Sequence, residues 1–191
     1  METNYWSERW QQGNTPWDMG SCSPPLTAYL QGLYNKEQHI LIPGAGNGYE
    51  LIWLWKNGFK NARVIDIALE PLENLKSQLP LEAHHNLLHG DFFEHTDTYD
   101  LILEQTFFCA LNPELRPAYA SKIQELLKSG GKLSGVLFDF PLTEKGPPFG
   151  GSKSEYLQHF DPIFTVSKME RCYNSIKPRA GKELFFELIK A

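Results

Sequence analysis

At 191 residues, with 41% apolar and 21% charged side chains, the chain has the composition of one globular domain with a well-buried core. A net charge of −5 and the lack of any basic cluster longer than a dipeptide argue against a nucleic-acid partner. No apolar run approaches the roughly 20 residues of a membrane helix, and the opening Met-Glu-Thr-Asn-Tyr-Trp is unlike a signal peptide.

Cys22, Cys109 and Cys172 are odd in number and show no Cys-x-x-Cys spacing. They read as reduced thiols of a cytoplasmic protein without structural zinc.

Residues 4–25 are rich in tryptophan. Trp6 and Trp10 stand four apart and share a face if helical, and Trp17 follows in Thr-Pro-Trp-Asp. Physics alone leaves two readings open, an arm packed on the domain or an aromatic lid over a ligand. Pro25 then opens a helix through Leu33.

The next stretch organises the rest. An apolar run, Ile40 to Ile42, stops at Pro43 and enters three alternating glycines, Gly44, Gly46 and Gly48. A helical run through Leu51 and Trp55 follows, ending at Asn57-Gly58. Strand, glycine turn and helix form the entry unit of a nucleotide-binding α/β sheet, because glycine lets backbone turn sharply and approach a ligand. A second strand, 62–68, carries Asp66 twenty residues after Gly46, about the spacing of a ribose-binding acid. The glycine spacing is Gly-x-Gly-x-Gly, whereas a dinucleotide site wants Gly-x-Gly-x-x-Gly. A nucleoside without a pyrophosphate fits better, and S-adenosylmethionine meets that description. The plain alternative is a βα turn whose glycines serve packing.

Glu70-Pro71 begins a helix with Leu72, Leu75 and Leu79 on one face, ended by Pro80. Residues 84–91 read as a third strand. Its histidines 84, 85 and 89 do not make a metal site, since adjacent strand residues face opposite ways. Tyr99 to Glu104 is a fourth strand with the apolar continuity of a central parallel position.

Asn112 caps a helix that Pro113 opens, and Gly130-Gly131 end it. A fifth strand spans 132–138. Gly146-Pro-Pro-Phe-Gly-Gly151 is too rigid and bulky for a linker. Ser152 and Glu155 have capping-box spacing and start a short helix. Residues 164–172 and 183–190 read as an antiparallel pair. The whole of 1–191 reads as one domain.

Taken in order, several of these pieces resemble the thiopurine S-methyltransferase family. They are Trp6-x-x-x-Trp10, Thr15-Pro-Trp-Asp-x-Gly20, Ile42-Pro-Gly-Ala-Gly-x-Gly48, Asp66-Ile67 and Gly90-Asp-Phe-Phe93. Phe107-Phe-Cys-Ala-Leu-Asn-Pro113, Arg116, Gly146-Pro-Pro-Phe149 and Arg179-x-Gly-Lys-Glu183 continue the series. Thr-Pro-Trp-Asp and Phe-Phe-Cys-Ala look closer to the plant halide/thiol (thiocyanate) methyltransferase branch.

The resemblance implies an α/β, Rossmann-like class I methyltransferase fold. Its seven-stranded sheet would be mostly parallel with one antiparallel strand, and helices would cover both faces. It implies S-adenosylmethionine as cofactor, with S-adenosylhomocysteine as product and no metal. Gly44 and Gly46 would face its methionine part, Asp66 its ribose, and Asp91 with the backbone of Phe92 its adenine. Glu104 and Gln105 join that cofactor set. Trp6, Trp10 and Trp17 look like a lid, residues 1–20, closing over it.

Two positions depart from the family. Ala45 replaces a cysteine, and Gln105 stands where thiopurine enzymes carry arginine and the plant branch tyrosine, beside the methyl donor.

Transfer from a sulfonium to a soft anion such as a thiolate, thiocyanate, hydrosulfide or halide needs alignment and desolvation more than a strong base. The chain offers no evident His/Asp or Ser/His pair, which suits direct in-line displacement. Phe107, Phe108, Phe149 and Tyr156 are candidates for a small dry acceptor pocket, and Gln105 or Arg179 for orienting the anion. Ordinary core packing is the alternative for each aromatic. Thiopurine or selenium/tellurium methylation, a nicotinamide-dependent reductase and a non-catalytic cofactor-binding module are the rival readings. The expected protein is a monomer acting on a small molecule.

Overall fold

The computed structural model describes residues 3–191; the first two positions of the 1–20 segment lie outside them. Seven strands form one sheet: β1 (Ile40–Pro43), β2 (Ala62–Asp66), β3 (Leu87–His89), β4 (Tyr99–Gln105), β5 (Leu127–Phe138), β6 (Thr165–Arg171) and β7 (Glu183–Ile189). Their order is β3-β2-β1-β4-β5-β7-β6. The first five pair in parallel, and β7 runs antiparallel to both β5 and β6. The mostly parallel class with one antiparallel strand is therefore present.

Among the described residues six α-helices accompany the sheet: α1 (Thr3–Gln11), α2 (Pro24–Leu30), α3 (Tyr49–Lys56), α4 (Leu69–Lys76), α5 (Arg116–Leu126) and α6 (Lys153–Phe160). The central strands alternate between two cores, as the period of two requires. Ile40 and Ile42 pack with Leu26, Leu54 and Leu72 from α2, α3 and α4. Leu41, between them, packs with Tyr119, Ile123 and Phe160 from α5 and α6. All four residues of β1 are buried, which is why the strand reads as a continuous apolar run.

The sequence reading needs revision in several places: α2 stops at Leu30, short of Leu33, and α4 at Lys76, short of Pro80. The third strand is only Leu87–His89, because Leu81–Asn86 coils into a 3-10 turn. The polar side chains there are engaged in closing it. His84 Nε2 lies 3.1 Å from the Lys76 carbonyl at the end of α4, and buried Asn86 donates to the Lys60 carbonyl at 3.0 Å. The glycines 130 and 131 do not end α5. That helix stops at Leu126, and the glycines lie within β5, where the β4–β5 register slips between Tyr99 and Leu101. Gly130 takes φ +72°, which a side chain would resist.

Among the described residues, no helix is long and apolar enough to cross a membrane.

Candidate active site

Between β1 and β4 the strand order reverses direction, and a crevice forms there at the carboxyl ends of the parallel strands. The cleft encloses about 260 Å³. Its walls come from the glycine loop after β1, Asp66 and Ile67 at the end of β2, Gln105 at the end of β4 with Thr106, Phe107, Cys109 and Ala110 after it, Phe138 at the end of β5, and the N-terminal arm.

The glycine wall depends on its residue types. Gly44, Gly46 and Gly48 all have positive φ, at +75°, +49° and +67°. A Cβ on Gly44 would come within 2.9 Å of the Phe107 ring, and one on Gly48 within 2.2 Å of Leu75. At Gly46 a Cβ would meet nothing within 4 Å. The loop is closed by the Gly44 N–H on the Ile65 carbonyl and the Gly48 N–H on that of Ala45, both at 2.8 Å.

Asp66 ties this loop to the second strand. Its Oδ2 accepts from the Ala45 N–H at 2.7 Å and its Oδ1 from the Ala68 N–H at 2.9 Å. Burial raises its carboxyl above the usual range, and those two backbone donors oppose the shift. The carboxylate keeps acceptor capacity beyond its backbone donors for a ligand hydroxyl.

The floor hangs on Glu104. This fully buried carboxylate accepts from the Phe107 and Phe108 N–H groups, both at 2.9 Å, and from the Tyr119 hydroxyl at 2.7 Å. Burial pushes it up to about 7, against those three donors. Gly135 on β5 leaves it room, since a Cβ there would lie 2.2 Å from the Glu104 carbonyl oxygen. The bridged turn holds Thr106 at φ +62°, an unusual value for a β-branched residue. Beside it, Gln105 lines the cleft with both amide heteroatoms buried and unpartnered. An unsatisfied buried amide on a cleft wall is suited to a polar ligand.

The arm crosses the opening. Trp17 packs edge-on against Trp6 and Trp10, with ring centroids 5.6 and 5.8 Å apart, so the four-residue spacing on α1 brings both indoles to one partner. All three tryptophans line the cleft. Gln11 donates to Glu70 on α4 at 2.7 Å, and the Tyr49 hydroxyl to Asp18 at 2.9 Å.

Comparisons with known proteins identify the family. The family model described as thiopurine S-methyltransferase (TPMT) matches residues 1–187. The chain belongs to this family of S-adenosylmethionine-dependent methyltransferases. Within the family it is 32% identical over 184 residues to a probable thiol methyltransferase 2 of Arabidopsis thaliana, covering 93% of this chain and 81% of that protein. It is 29% identical to thiocyanate methyltransferase 1 of Brassica oleracea, covering 96% and 83%. Among solved structures, the 1,6-didemethyltoxoflavin-N1-methyltransferase of Burkholderia thailandensis matches at TM-score 0.77 and 19% identity, over 99% of this chain and 87% of that one. That protein was crystallised with 1,6-didemethyltoxoflavin and S-adenosylhomocysteine. The likeness shows the shared fold.

Of the residues expected at the site, Trp6, Trp10, Trp17, Gly44, Gly46, Asp66, Gln105 and Arg179 meet on the cleft wall, as does Phe107. Glu104, Asp91, Phe92, Phe108, Phe149 and Tyr156 do not line it. Phe108 and Tyr156 are core residues, stacked edge-on at 5.7 Å, with the Tyr156 hydroxyl donating to the Phe138 carbonyl. Phe92 is buried against Phe107 and Tyr119. Asp91 caps the turn at 92–94 through the Phe93 N–H at 2.9 Å.

Arg179 donates to the Trp17 carbonyl and pairs with Glu183. Sequence reasoning passed over Asp18 with Tyr49, Thr106 and Phe138. Of these, Asp18 stands in the Thr-Pro-Trp-Asp motif, and Phe138 carried a signal as the end of an apolar strand whose parallel neighbours also end at the cleft.

Proposed function

We propose that this chain moves a methyl group from S-adenosylmethionine to a small soft nucleophile (a thiol, thiocyanate, hydrosulfide or halide) by direct in-line displacement. The observation that carries the reading is the switch-point cleft itself. Positive-φ glycines and Asp66 form one wall, an unpartnered buried amide lies at the floor, and aromatic rings cover the top.

The residues fit the cofactor on three counts. Gly46 has open space where a side chain would stand, Asp66 keeps acceptor capacity beside it, and Gln105 has donor and acceptor unspent. In this reading Gly44 and Gly46 bear on the methionine part and Asp66 on the ribose. When bound, S-adenosylmethionine supplies a methyl group already activated by its sulfonium charge.

The chain's own task is alignment and exclusion of water. Trp6, Trp10 and Trp17 close the entrance, and Phe107, Phe138 and Pro147 make the acceptor end apolar. Among the described residues no histidine lines the cleft, and burial drives the Cys109 thiol up, away from use as a base. An acceptor that arrives anionic or easily ionised suits such a site. The thiol and thiocyanate relatives favour this class. The chain acts as one domain, a monomer in the cytoplasm, with its three thiols free.

Calorimetry tests the cofactor reading. Binding of S-adenosylmethionine and S-adenosylhomocysteine with no heat from NADH is expected. Tight NADH binding with no response to either sulfur compound would end it.

A further inference from the structure

Resting on the methyltransferase reading, we infer that Arg116 is a positioning residue that sets the acceptor wall and thereby the size of acceptor accepted. Arg116 touches no part of the cleft, yet it is 1% exposed and carries a charge that the chemistry does not use.

Its guanidinium forks between two elements. Nη1 pairs with Glu155 on α6, and Nη2 donates to the Gly150 carbonyl at 2.7 Å. The ring of Phe108 lies beneath, 4.8 Å from the guanidinium carbon. Arg116 itself begins α5, so one side chain couples α5, α6 and the loop between β5 and α6.

That loop presents Pro147 and Pro148 to the cleft. Its base is pinned twice more, by the Phe149 N–H on the Cys109 carbonyl at 2.7 Å and the Gly151 N–H on the Phe140 carbonyl at 2.8 Å. Packing around the pins leaves no slack, since a Cβ on Gly150 would lie 2.4 Å from the Phe140 oxygen, and one on Gly151 as close to the Tyr156 hydroxyl.

Burying a charge is seldom the most favourable way to stabilise a fold, because desolvation offsets much of the ion-pair gain. A planar guanidinium does something an apolar residue cannot: it fixes two acceptors in direction as well as distance. Here the fixed acceptor is the backbone of the loop that carries the proline wall. The Cys109 carbonyl joins that wall to the loop after β4, so the two acceptor-side walls move as one.

The test compares wild type with Arg116→Met, Arg116→Lys and Glu155→Gln. KM and kcat are measured for thiocyanate and for thiophenol, with the Kd of S-adenosylhomocysteine as the cofactor readout. Glu155→Gln keeps the shape of the site if the methionine variant does not fold. The expected result is a thiophenol-to-thiocyanate ratio of kcat/KM raised about tenfold (about 1.4 kcal/mol) in the methionine and glutamine variants. Arg116→Lys should lie between them and wild type, and cofactor Kd should stay within about twofold, below half of that interval. Folded variants with an unchanged ratio, or a change confined to cofactor Kd or Tm, overturn the inference alone. Wild-type protein that methylates neither acceptor overturns the acceptor reading, and this inference with it.

Discussion

Arg179 Nη2 donates to the Trp17 carbonyl at 3.0 Å, joining residues 162 positions apart. Nη1 of the same guanidinium pairs with Glu183 on β7 at 3.3 Å, and the carbon lies 5.3 Å over the Phe138 ring. With Gln11 held by Glu70 on α4, the arm is fastened on both sides of the cleft. Arg179→Met should free it. The expected outcome is faster proteolysis within residues 3–20 and a cofactor Kd raised about tenfold, equivalent to about 1.4 kcal/mol. Limited proteolysis with and without S-adenosylhomocysteine checks this. An arm equally protected in both proteins would return these tryptophans to ordinary packing.

Asp66 offers a second test. Asp66→Ala removes a charged acceptor and releases the Ala45 N–H, so cofactor binding should weaken by roughly 1.5–3 kcal/mol, with the chemical step at saturation little changed. Calorimetry gives the first quantity and single-turnover rates the second. Normal affinity in a folded variant would take Asp66 out of the site.

Glu104 should make stability depend on pH. Burial lifts its carboxyl to about 7 from an ordinary 4.5. The folded value is the higher one, so its contribution is complete below about 4.5 and is lost as pH rises through about 7. Burial moves Asp66 and Glu50 in the same direction. Tm should therefore fall as pH rises across that window, and Glu104→Gln, which cannot ionise, should flatten the fall. Parallel slopes for wild type and variant would contradict the assignment.

Gly48 should resist any side chain. A Cβ would enter Leu75 at 2.2 Å from a backbone at φ +67°. Gly48→Ala is expected to cost about 1–3 kcal/mol from overpacking, with left-handed strain in addition. Combining it with Leu75→Ala should destabilise less than the two single changes summed, because the second makes room for the first. Denaturant midpoints of the four proteins supply the cycle; strict additivity would mean the contact is not what excludes a side chain.

Local chemistry made much of this readable from sequence. Ile40 to Ile42 followed by alternating glycines carries its own punctuation, and so does Asn112-Pro113, whose cap forms through the Glu114 N–H at 3.1 Å. What escaped depends on distant partners. Asn86 is drawn out of a strand by the Lys60 carbonyl, 26 residues back. Phe108 and Phe107 are adjacent aromatics after the same strand, yet one enters the core and the other the cleft, because the Glu104 bridge decides the turn. Arg179 reads from sequence as a candidate for orienting an anion, but its partner Trp17 comes from the opposite end of the chain.

The central claim is best tested by one product analysis. The protein is incubated with methyl-labelled S-adenosylmethionine and, separately, a thiol, thiocyanate, hydrosulfide, iodide and a thiopurine, and both volatile and soluble label are scored. The account predicts methylated thiol or thiocyanate, with S-adenosylhomocysteine formed in equal amount. Label found only on the thiopurine, or no transfer by protein that binds S-adenosylmethionine, would contradict it.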